Sequence, residues 1–305
     1  MVGLGEAAGL TAALMWTFSS MLWGRIKLTA LTLNFFKNLI GVVLILTHLA
    51  IVRIVLGLDL FQASTESWIW LGISGLIGVV IGDTFYFRSL QIIGPRLALM
   101  VSTTAPLFSV LLTSFVLNDR LSQTAIFGVL LTVVGVVIVV MEKKTKDESP
   151  GIMPGNFRMG ALFGVLGAIC QALGGVFAKK GMTNLSTGEF ICDPIEATMI
   201  RLLVSAIGTT VVILLMGKLG RSLKLGIQKE NLGLLIPATA IGTWLGIWLS
   251  QIAYQGTNVA IAQTLLATCP LFAIPVVWWL QGIKPTITAL GGTLVALLGV
   301  YLAVA

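Results

Sequence analysis

Residues 102–111, STTAPLFSVL, and residues 266–275, LATCPLFAIP, carry the same Pro-Leu-Phe triplet inside two long apolar runs. A proline inside a helix removes one backbone donor and pushes away the carbonyl four residues earlier, here that of Ser102 or Leu266. In lipid an unpaired carbonyl costs several kcal/mol, so such a break persists only where protein or water covers it. Pro106 and Pro270 therefore mark either ordinary packing kinks or the wall of a cavity. Their occurrence at matching places favours the cavity.

The surrounding composition decides the setting. The chain has 305 residues, is 57% hydrophobic and only 10% charged, and its mean hydropathy is +1.01. Soluble globular proteins are about a quarter charged. Apolar runs of membrane-spanning length, roughly 17–25 residues, recur at 4–24, 30–52, 68–89, 97–117, 123–141, 159–178, 195–216, 232–252, 261–280 and 286–304. The fold class expected is an all-α integral membrane protein of ten transmembrane helices. The first run has no basic leader and no convincing cleavage site, so it reads as helix one rather than a signal peptide. Cys170, Cys192 and Cys269 form an odd set that implies no disulfide framework. The net charge of +7 lies in short loops, where it anchors helices to headgroups; no nucleic-acid partner is expected.

A shift of 164 residues superposes the halves without a gap from helix two onward. Lys37 then falls on Arg201, Gly78 on Gly242, Gly82 on Gly246, Gln91 on Gln255, and Pro106-Leu107-Phe108 on Pro270-Leu271-Phe272. Helices one and six match at a shift of 155, which sets Trp16 against Gln171. The units expected are a first five-helix repeat at 1–141, a polar linker at 142–158 and a second repeat at 159–305. Five is odd, so the second repeat enters the membrane upside down. Inverted repeats are a transporter architecture, with the substrate site near the midplane between them.

Loop charge speaks to orientation. The odd-numbered loops hold all of the 19 basic residues except Arg53, Arg120, Lys179 and Lys180 in even loops and Lys37 and Arg201 inside helices. This puts the odd loops in the cytoplasm and both termini outside.

Together these features resemble the EamA-type branch of the drug/metabolite transporter superfamily. The resemblance rests on GDTFYFRSLQIIGPRLALMVSTTAPLF with LNDRLSQTAIFGVLLTVVGVVIV, and on their echo GIWLSQIAYQGTNVAIAQTLLATCPLF with LQGIKPTITALGGTLVALLGVYL. Pro106, the turn Asp119-Arg120-Leu121, Gly128 and Gly135 fill the family's pattern, whereas Ile283-Lys284-Pro285 lacks the acidic residue. The resemblance implies a ten-helix secondary transporter of small organic solutes, often an exporter, in a prokaryotic inner membrane. It also implies cytoplasmic termini, against the loop charge.

Asp83 is the only carboxylate well inside a predicted span, and an intramembrane ionisable residue is a functional candidate by default. It binds a substrate amine, carries a coupling proton, or pairs with Lys37 or Arg88. Lys37 and Arg201 lie about a turn from their helix midpoints. There they either snorkel to the headgroups or point inward, where Arg201 suits a carboxylate bidentately. Further candidate lining residues are Trp16, Tyr86, Gln171, Trp244, Gln251 and Gln263, with Trp248, Tyr254 and Gln255 on the same polar stripe. Ser102, Thr103, Thr104 and Thr268 stand beside Pro106 and Pro270, free to bond either the broken backbone or a ligand.

Absences narrow the classes. With His48 as the single histidine, an HExxH metal site is impossible, and no Walker loop GxxxxGK[ST] occurs. No cofactor, metal or enzymatic activity is expected. The partners expected are a small-molecule substrate, the lipid bilayer and a coupling proton. Amino acids or related metabolites lead; drug efflux and carriage of nucleotide-linked or lipid-linked sugars are the alternatives on the same fold.

Overall fold

The computed structural model describes residues 3–141, 156–281 and 286–304. The linker residues 142–155 and the turn 283–285 lie outside it. Among the described residues the chain is helical, apart from one isolated bridge between Thr183 and Phe190. The ten spans are α1 (Leu4–Trp23), α2 (Ala30–Leu56), α3 (Thr65–Gly94), α4 (Leu97–Val116), α5 (Gln123–Met141), α6 (Phe157–Met182), α7 (Pro194–Leu215), α8 (Lys229–Gly256), α9 (Val259–Leu266 with Cys269–Gln281) and α10 (Ile287–Val304). A short amphipathic helix, Leu219–Gly226, lies between α7 and α8.

Local chemistry sets the ends. Thr29, Ser64, Asn156 and Asp193 cap their helices with side-chain oxygens, satisfying donors that a helix leaves open. Gly94 joins α3 to α4 at φ 82°, ψ 164°, a conformation essentially reserved for glycine. Several helices outrun their hydropathy windows. α2 reaches Leu56 rather than 52, and α6 runs to Met182 rather than 178. The extra turns carry Arg53, Lys179 and Lys180, whose charges find partners at the helix ends instead of terminating them.

The breaks in α4 and α9 fall just before the prolines. Helix stops at Ser102 and restarts at Ala105; in α9 it stops at Leu266 and restarts at Cys269. Pro106 and Pro270 are thus the second residues of new half-helices, where a missing N–H costs nothing. The neighbouring hydroxyls serve backbone: Ser102 Oγ bonds Leu99 O at 2.7 Å, Thr103 Oγ1 bonds Met100 O at 2.7 Å and Thr268 Oγ1 bonds Leu265 O at 2.6 Å.

A second symmetric irregularity has no signature in hydropathy. α3 is π-helical over Gly75–Gly82, and α8 over Ala240–Leu245. Carbonyls of these wide turns are taken up from other helices. Asn34 Nδ2 donates to Val79 O at 2.8 Å, Ser205 Oγ to Gly75 O at 3.0 Å, and Trp16 Nε1 to Gly242 O at 2.9 Å. The π-turns lie where α6 and α1 come closest. A Cβ on Gly174 would sit 2.9 Å from Gly78 Cα, and one on Gly242 would sit 2.3 Å from Ser19 Oγ.

The repeats also meet along α5 and α10. A Cβ on Gly135 would fall 2.3 Å from Ala296 N, and one on Gly299 would fall 2.4 Å from Thr132 N. Small residues let membrane helices approach backbone to backbone. The partners are Gly128, Gly135, Gly292 and Gly299, whereas Gly291 faces open space.

Candidate functional site

Lys37 projects from α2 into the middle of the molecule and is 1% exposed. It pairs with Asp83 Oδ2 from α3, and its ammonium lies 5.8 Å from the centroid of the Phe87 ring. Asn34, one turn away, bonds Val79 O and Thr84 Oγ1. The Lys37 side chain therefore points inward and does not snorkel. Asp83 keeps its side chain 32% exposed, towards a cavity of about 100 Å³ between the repeats. By this measure about 10–15 Å³ holds one water, so the cavity has room for a small solute.

The wall is symmetric in the repeat register. Lys37 and Arg201, Gly78 and Gly242, Asp83 and Ile247, Tyr86 and Ser250, and Ala105 and Cys269 are all lining pairs. Trp16 and Gln171 face in as well. Hydrogen bonds tie down the polar groups. Tyr86 OH shares one with Ser20 Oγ at 3.1 Å. Gln263 Nε2 donates to Tyr254 OH at 3.0 Å and to Gln171 O at 3.1 Å, while Gln171 Nε2 donates to Gln263 Oε1 at 3.1 Å. Arg201, buried to 6% exposure, is the exception: among the described residues no hydrogen bond or ion pair reaches its guanidinium, and Nε is buried without a partner.

Of the candidates named from sequence, the cavity is lined by Trp16, Lys37, Asp83, Tyr86, Ser102, Gln171, Arg201, Tyr254, Gln263 and Pro270. Thr103, Pro106, Thr268, Trp244 and Gln251 stand outside the wall. Thr103 and Thr268 are buried on backbone carbonyls, and Pro106 packs behind the break. Trp244 donates to His48 Nδ1 at 3.2 Å, with Trp248 edge-on to the same ring at 4.7 Å. Gln251 is fully buried and bonds Ser250 Oγ at 3.1 Å. Sequence reading missed Ser20, Ile247 and Ser250. The repeat register, which pairs Ile247 with Asp83 and Ser250 with Tyr86, holds the signal for the last two.

On the even-loop side paired charges join α2 to α7. Arg53, at the end of α2, bonds Asp193 Oδ2 and, at 3.1 Å, Glu196 Oε2. Glu196 Oε1 accepts from Gln62 N at 2.8 Å and Ala63 N at 2.9 Å. Beside them Gln255 Nε2 donates to Cys192 O at 2.9 Å, and Lys179 Nζ donates to Thr257 O at 2.7 Å.

A duplicated bundle of ten spans, broken and widened at symmetry-related places around a largely apolar cavity that holds a few charged and polar groups, has the build of a membrane transporter. The chain belongs to the EamA-like transporter family, whose sequence model matches residues 3–141 and again 158–305. An uncharacterized transporter from Archaeoglobus fulgidus is 33% identical over 148 residues, covering 47% of this chain and 50% of that protein. Protein LicB of Haemophilus influenzae is 23% identical over 142 residues, covering 45% of this chain and 47% of its own length. The chain thus spans about half the length of the curated relatives it matches. A solved crystal structure superposes with a TM-score of 0.70 at 16% identity, covering 98% of this chain and 96% of the other; it shows the fold.

Proposed function

We propose that this transporter is a secondary carrier of amino acids or closely related small metabolites, working by alternating access around the cavity between its repeats. The observation that supports it is a cavity between the repeats whose wall is pairwise equivalent in the repeat register. The cavity reaches Trp23, the last residue of α1, towards the odd loops. On the even-loop side the Arg53–Asp193–Glu196 cluster ties the end of α2 to the start of α7, and we read it as the lock of that side. A carrier alternates between two one-sided states, and the pseudo-symmetric wall gives the two repeats equivalent surfaces for rocking from one to the other. With the odd loops cytoplasmic, as their basic residues predict, the cavity loads from inside and the carrier exports. Asp83, partly open to the cavity beside Lys37, is the group for a solute ammonium or a coupling proton. A cavity of about 100 Å³ favours a compact solute over a nucleotide-linked sugar.

The test is uptake of radiolabelled amino acids into proteoliposomes holding the purified protein. Saturable uptake of at least one amino acid, competed by its unlabelled form, is expected. Uptake that rises linearly with concentration for every solute would fit a channel and overturn the carrier reading.

A further inference from the structure

The two repeats place a cation at the same position, Lys37 in one and Arg201 in the other. Lys37 has its acid, Asp83. The same step of 164 residues carries Asp83 onto Ile247, which lines the same cavity. The second repeat has kept the cation and lost the carboxylate. Among the described residues nothing replaces it: Arg201 makes no ion pair or side-chain hydrogen bond, and its Nε is buried without a partner. Gln171, Gln263 and Tyr254, which line the same cavity, bond one another, and the charge of Asp83 reaches Arg201 without an ion pair. Among the described residues the cavity wall therefore carries two cations, Lys37 and Arg201, and one carboxylate, Asp83. An uncompensated charge at this depth is expensive, and a planar guanidinium is best answered by a bidentate oxyanion.

We propose that Arg201 is the subsite for the carboxylate of the transported solute, which takes the place in the second repeat that Asp83 fills in the first. The inference rests on the carrier reading above and narrows its substrates to carboxylates. Asp83 engages Lys37 through Oδ2, which leaves Oδ1 to accept from the ammonium of an amino acid. Inorganic anions share the chemistry a guanidinium recognises, so they form a separate arm of the test.

The experiment measures the thermal midpoint of the purified full-length protein against the common amino acids, their carboxamides, and sodium chloride and phosphate. A ligand bound only by the folded state raises the midpoint once its concentration exceeds Kd. At least one amino acid should stabilise the wild type with an affinity on the order of tenfold or more above that of its amide, because the site is built for the missing oxyanion. Arg201→Gln should erase this preference. Ile247→Asp should erase it too, since the new acid neutralises Arg201 as Asp83 does Lys37. Ile247→Asn should retain it, which separates an occupied subsite from a misfolded protein. Equal response to acid and amide, response to inorganic anions alone, a preference that survives Arg201→Gln, or no response to any amino acid would each overturn the proposal. Flux separates the two readings. Saturable flux indifferent to the carboxylate removes the subsite and leaves the carrier, whereas carboxylate binding without flux keeps the subsite and removes the carrier.

Discussion

Lys37 and Arg201 show how position alone fails to decide a residue's role. Hydropathy places both about a turn from a helix midpoint, where a long side chain is free to snorkel. Packing turns both inward, Lys37 onto Asp83 and Arg201 into the cavity. The Lys37–Asp83 pair gives the prediction at this scale. Asp83→Asn leaves an ammonium that is 1% exposed without its counter-charge, a loss of about 3–5 kcal/mol. The thermal midpoint should fall and flux should drop by an order of magnitude or more. The double variant Lys37→Met with Asp83→Asn removes both charges, so it should recover most of the midpoint and none of the flux. Wild-type flux in the double variant would reduce the pair to a structural strut.

The helices show which irregularities a sequence can announce. Pro106 and Pro270 advertised the breaks in α4 and α9, although those breaks lie just before them, at residues 103–104 and 267–268, and the half-helices restart one residue ahead of each proline. The π-turns were not legible, because no residue type marks them; only the glycines that tolerate the close packing stand in the sequence. Their effect on the site is direct. One extra residue per turn rotates all that follows by about 100°. Beyond the π-turn of α8 it is Ile247, Ser250 and Tyr254 that face the cavity, while Gln251, and Trp244 within the turn, point away. Projection on a uniform helix could not have found this. Two predictions belong here. Pro106→Ala and Pro270→Ala restore a donor to each broken helix; turnover should fall several-fold while the midpoint shifts by less than about 1 kcal/mol equivalent. Gly135→Val drives a side chain into the Ala296 backbone, and it should lower the midpoint sharply and reduce folded yield, as read by size-exclusion chromatography. A normal midpoint would show that α5 and α10 are able to separate without cost.

At the scale of the molecule, the duplication, the ten spans and the inverted architecture were legible, because they rest on composition and on a register sustained across the chain. The closure on the even-loop side was not. Its acids, Asp193 and Glu196, belong to a long loop and the helix after it, and their partner Arg53 lies 140 residues away from Asp193. Only the fold brings them together. Arg53→Gln should loosen this seal, because Glu196, fully buried, loses its counter-charge. Cys192 reports on it. The residue is 6% exposed, and burial, then the carboxylates of Glu196 and Asp193, push the pKa of its thiol well up. Wild-type Cys192 should react slowly with a maleimide near neutral pH. Removing Arg53 also removes a charge that lowers this pKa, so faster labelling in the variant can come only from opening. Unchanged labelling would show that the cluster is not the lock.

The central claim is that one cavity serves both sides of the membrane in turn. Counterflow in proteoliposomes tests it most directly: vesicles loaded with an unlabelled amino acid that binds the protein are diluted into a trace of the same labelled solute. A carrier that alternates will accumulate label transiently above equilibrium, and Arg201→Gln will abolish the overshoot. Entry of label that climbs only to equilibrium, whatever the vesicles contain, would contradict alternating access at this cavity.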